Sequence, residues 1–322
     1  PILYLMAGHW THVIPALLIS GAASIYMPAF NAIIADSLPQ DERGAGYGAY
    51  RTITSIPQIF SPIIGGYLMD TYGYSNGVKI FLYVSFVTTI FVTYARWKVL
   101  RETIDDDKSS EATKEGPSML EYIKGSFVLP RSVWAMVAVS IFSAFGMRIV
   151  WDFMPIYAVE VIGLTNTQLG TVQTMGGILS AVLAMPGGMI SDRFGRKPLI
   201  LGSRFITPIT MFLVTLSQTY SNYFTVQFFA GIANALGGGG IYVGGPAWNA
   251  LIADLVPREQ RGTVMGTMGT LSGIIATPSS WIGGWMWENI SPQSLFYISL
   301  VTGLIGTGIF AVFVKEPERS VT

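Results

Sequence analysis

Apolar residues in this chain gather into runs too long for the core of an ordinary soluble domain. Nine stretches reach the roughly 20 residues that an α-helix needs to cross a bilayer, at 14–35, 47–69, 78–97, 133–159, 169–190, 198–216, 224–252, 264–287 and 295–314. Each predicts a helix, because a helix satisfies its own backbone hydrogen bonds in lipid. The one long polar stretch, 101–130, is rich in Asp, Lys, Ser and Glu and predicts a linker that parts three spans from six. The expected organisation is part of one helical bundle over 1–100, a linker over 101–130 and a six-helix bundle over 131–322.

Composition narrows the class. Hydrophobic residues make up 51% of the chain and charged ones only 12%, which suits lipid as the main solvent. The formal net charge is zero, so no electrostatic footprint points to nucleic acid. Cysteine is absent, which removes disulfides and thiolate chemistry. The two histidines, His9 and His12, lack the further ligands that zinc requires, and no serine or carboxylate constellation accompanies them. Neither a metal, nor another cofactor, nor an enzymatic centre is therefore expected. If 101–130 lies inside, 17 of the 19 basic residues fall on that side or close to it, Lys79 alone falls outside, and Arg148 lies within a span. This asymmetry predicts a multi-pass protein of the cell membrane with its linker and C-terminus in the cytoplasm.

The chain also matches itself. At an offset of 218 residues, 28–70 and 246–288 share 17 identities in 43 positions without a gap, including Asp36 with Asp254, Arg43 with Arg261, and Gly65-Gly66 with Gly283-Gly284. Both copies have the same polarity, helix then inner loop then helix, so they predict a parallel repeat about an axis along the membrane normal. Six spans in the second half against three in the first predict twelve in all, three of them upstream of Pro1.

Between the fifth and sixth spans lies GGMISDRFGRKPL, residues 187–199, read as an inner loop with tight-turn glycines. It resembles the signature G-x-x-x-D-R-x-G-R-[RK] of the major facilitator superfamily at Gly188, Asp192, Arg193, Gly195, Arg196 and Lys197. The resemblance implies an all-α fold of two pseudo-symmetric bundles, of which nine of twelve transmembrane helices are present here, the fourth to the twelfth. It also implies alternating access about a central site, with this loop as a conformational latch and Asp36, Arg43, Asp254 and Arg261 as the repeated inner-loop residues. Gly48, Pro62, Gly65 and Gly66 are similar to part of a helix-five motif of drug and proton antiporters, where close packing of small residues is the other reading. That group carries an arginine where this chain has Leu17, so proton coupling does not follow from the likeness.

The function implied is transport of a small solute. Efflux by antiport, uptake of a metabolite, and a receptor or scaffold on the same fold stay open. The implied partners are a small-molecule substrate, a coupling proton or ion, and the lipid bilayer around a monomer. A charge within a span costs roughly 2.5–3.5 kcal/mol, which makes Arg148 and Asp152 candidates for substrate or coupling. Spaced i, i+4, they share a helix face, where they either meet the substrate or neutralise each other structurally. Pro155 is expected to bend the same helix. Tyr26, Gln173, Asn234 and Tyr242 are further polar candidates on spans that would reach a cavity.

Overall fold

The computed structural model describes residues 1–23, 26, 30, 33, 43–99, 131–236, 246–256 and 258–314, with the backbone alone at some helical positions, Arg43 and Asp192 among them. The linker 101–130, Asp36 and Tyr242 lie outside the described residues. Two compact units are present, Pro1–Gly116 and Pro117–Thr322. Among the described residues every regular element is helical.

The first unit holds α1 (Val13–Ala23), α2 (Arg43–Tyr72) and α3 (Tyr74–Val99). A single residue, Gly73, joins α2 to α3 at φ +81°, a left-handed conformation that glycine adopts without strain. Pro57 and Pro62 both lie inside α2 without ending it.

The second unit runs α4 (Arg131–Trp151), α5 (Asn166–Phe194), α6 (Arg196–Val214), α7 (Tyr220–Leu236), α8 (Pro246–Leu255), α9 (Arg258–Ala276), α10 (Ser279–Asn289) and α11 (Ser294–Phe313). Among the described residues, four stretches are long and apolar enough to cross a membrane: Tyr74–Val99, Arg131–Val161, Arg196–Val214 and Ser294–Phe313. Its core forms two clusters at opposite ends. One gathers Met136, Val139, Ile200, Trp248, Leu251 and Phe310. The other gathers Ile149, Tyr157, Met211, Tyr223, Leu295 and Phe296.

Two expectations need revision. The span predicted over 264–287 is two helices, because Pro278 brings no N–H to continue α9 and becomes the N-cap of α10. The corresponding position of the first copy is Phe60, and α2 runs through it. The loop predicted over 187–199 is mostly helix, since α5 continues to Phe194. Gly187 does not turn the chain. It lets α5 approach α7 so closely that a β-carbon there would lie 2.9 Å from Ala235 O. Only Gly195, at φ +96°, makes the turn. Arg204, two turns into α6, is 4% exposed inside the second unit.

Candidate functional site

The expected bend in α4 positions the first group of site residues. Pro155 donates no hydrogen bond, so α4 stops at Trp151 and resumes as a short helix, Met154–Ile156, followed by a π-turn, Tyr157–Val161. Arg148 occupies the last turn of α4 and Asp152 the position just past its end. Their Nε and Oδ2 atoms are 3.3 Å apart, with side chains 54% and 34% exposed. Ser280, in the first turn of α10, joins them. Its hydroxyl donates to Asp152 Oδ2 at 2.7 Å and accepts from Arg148 Nε at 3.4 Å. The group thus spans the break after α4 and the break before α10. Phe153 stacks on Trp287 at 5.6 Å beside it, and Gly283 leaves room for that ring.

A cavity of about 530 Å³ opens on the neighbouring face of α4, lined by Met147 and Trp151 rather than by the ion pair. Gln173 of α5 and Asn234 of α7 both line it, so two of the predicted residues share one cavity. Met154, Ser180, Met211, Tyr223 and Gln227 complete the polar and polarisable part of the wall. Gln227 Nε2 donates to Tyr223 OH at 3.1 Å, and Thr207 Oγ1 donates to Asn234 Oδ1 at 3.3 Å. Tyr223 and Gln227 were not singled out in the sequence. Their signal was the run Tyr223, Gln227, Ala230, Gly231 and Asn234, polar and small positions at helical spacing on one face of an otherwise apolar helix.

The signature residues collect helix ends at one pole of the unit. Arg196, opening α6, pairs with Asp254 near the end of α8. Lys197 Nζ donates to Ala311 O at 3.0 Å and so caps the last turn of α11. Arg261 Nε donates to Val256 O at 3.1 Å, bracing the corner between α8 and α9. Arg193 is exposed, and Gly188 lies within α5. With side chains 23% and 41% exposed, the Arg196–Asp254 pair is worth about 0.5 kcal/mol after solvent screening. Either alanine variant should therefore shift the melting midpoint by no more than about 2 °C, as read by intrinsic fluorescence of the purified protein. A larger drop would make the pair structural.

In the first unit Tyr26 is 49% exposed. The Arg96 guanidinium lies 5.8 Å from its ring and 4.4 Å from that of Phe30, so a cation already occupies one aromatic face.

Long apolar helices and a cavity within the second unit define a polytopic α-helical membrane protein. The chain belongs to the Major Facilitator Superfamily, whose sequence pattern matches residues 1–171 and again 136–322. It is 31% identical over 175 residues to the multidrug resistance protein MdtG of Serratia proteamaculans (strain 568), covering 52% of this chain and 40% of that protein. It is 26% identical over 179 residues to the quinolone resistance protein NorA of Staphylococcus aureus (strain Mu50 / ATCC 700699), covering 55% of this chain and 43% of that protein. The matched region is thus less than half the length of either relative.

Proposed function

We propose that the protein is a secondary transporter that moves a small solute through the membrane by alternating access, and that it works as an efflux antiporter. The observation that carries this reading is the cavity, about 530 Å³ and lined by Met147, Trp151, Gln173 and Asn234. That size lies within the roughly 300–1,000 Å³ typical of ligand pockets, and methionine with aromatic walls adapts to amphiphilic ligands. The names of MdtG and NorA support export of drug-like compounds. On this reading the linker and C-terminus are cytoplasmic, and the signature residues Asp192, Arg193, Arg196 and Lys197 act as the latch, with Asp36, Arg43, Asp254 and Arg261 as its partners in the repeats. The Arg148–Asp152–Ser280 group is the coupling element, since removing either charge would free two helix breaks at once.

The test is uphill export of a quinolone and of other amphiphilic drugs by the full-length protein in proteoliposomes, driven by a proton gradient. Arg148→Ala and Asp152→Ala are each expected to lower transport about tenfold or more, the equivalent of roughly 1.4 kcal/mol. The double variant Arg148→Asp/Asp152→Arg should recover part of it. Undiminished flux in both single variants would remove the coupling role, and failure to move any compound against its gradient would remove the antiport reading.

A further inference from the structure

We propose that the cavity between α4, α5 and α7 takes an uncharged ligand bearing a strong hydrogen-bond acceptor, and discriminates against a cation of the same shape. This rests on the transporter reading for its purpose and on the cavity's chemistry for its content.

The polar side chains facing the cavity include three carboxamides, Gln173, Gln227 and Asn234, and one phenol, Tyr223. A carboxamide both donates and accepts but carries no net charge, so such a wall solvates a ketone, an amide or a phosphoryl oxygen. An ion would lose its hydration with no opposite charge among the described lining residues to replace it. Asp152 is the carboxylate nearest in sequence, but Arg148 and Ser280 hold it on another face of the helix. Gln173, exposed on the cavity side and without a hydrogen bond to the described residues, is the group left to meet the ligand.

A matched pair of probes isolates charge from shape. Triphenylphosphine oxide is neutral with a strong acceptor oxygen. Methyltriphenylphosphonium replaces that oxygen by a methyl group and carries a positive charge. Equilibrium binding of each to the full-length protein in detergent should favour the oxide by at least tenfold. Gln173→Leu and Gln227→Leu should each weaken oxide binding roughly three- to tenfold, the loss of one hydrogen bond, and leave the phosphonium unaffected. Gln227→Glu should reverse the preference. Because Gln173 is exposed, its variant tests the wall without disturbing the core. Equal or tighter binding of the phosphonium, oxide binding indifferent to both leucine variants, or equal affinity for the anion tetraphenylborate would each overturn the inference, as would no binding of the oxide. Selective binding without uphill transport would leave the inference standing and remove the transporter reading instead.

Discussion

Replacing Gly77 by alanine is expected to lower the melting midpoint of the purified protein by roughly 6–12 °C, which corresponds to about 3 kcal/mol in a chain region of this size. The reason is the one-residue turn between α2 and α3. With Gly73 alone connecting them, the last turn of α2 and the first turn of α3 must be nearly in contact, and Gly77 is a point of contact. A β-carbon there would lie 2.6 Å from Met69 Cα, 2.7 Å from Met69 N and 2.8 Å from Leu68 C. All three are backbone atoms, so no side chain can rotate aside and the helix itself must shift. Overpacking usually costs 1–3 kcal/mol, and immovable backbone puts this case at the upper end. Gly65→Ala supplies the control. Its β-carbon would meet only Phe81 Cε2, at 4.0 Å, and alanine favours helix over glycine, so its midpoint should stay within about 2 °C of the parent. Equal midpoints for the two variants would show that α2 and α3 are not held at this contact.

That contrast marks what could be read from the chain alone. Long apolar runs located the helices well, since each predicted stretch over 47–69, 78–97, 169–190 and 295–314 falls within or against a helix whose ends agree to a few residues. Hydropathy does not see polar residues that extend a helix beyond the lipid, which is why α5 continued through Asp192 and Arg193. The repeat drew attention to Gly65 and Gly66, yet Gly65 has room to spare and a close approach falls at Gly77, which has no special pattern around it. In the other copy Gly283 is packed tightly, because Phe153 leans on it from a broken helix that only Pro155 announced. The ion pair was legible from its i, i+4 spacing. Its third member was not, because Ser280 is more than a hundred residues away and reaches the pair only through the break at Pro278.

Arg204 shows the same limit most sharply, and its substitutions carry the second large expected effect. By sequence it is one basic residue among those near an inner loop. In the fold it lies two turns into α6, between the two apolar clusters, where its Nη2 donates to Ser143 Oγ. Its guanidinium sits 5.5 Å from the ring of Trp248 and 5.9 Å from that of Phe310. Two desolvated ring contacts of about 2 kcal/mol each, with a charged hydrogen bond of about 1.5–3 kcal/mol, offset a desolvation cost of several kcal/mol. Because well-packed apolar groups commonly replace a buried charge without loss, the volume of the side chain is expected to contribute more than the charge. Arg204→Ala should then cost about 3 kcal/mol through the cavity it leaves. Arg204→Met, which refills the space without a charge to desolvate, should come within about 1 kcal/mol of the parent. Arg204→Lys should fall between them, because an ammonium is more strongly hydrated and lacks the planar face that a guanidinium offers to aromatic rings. Thermal denaturation of the three variants gives the order directly. If methionine proves as damaging as alanine, the cation itself holds α4, α6 and α11 together, and the balance drawn here is wrong.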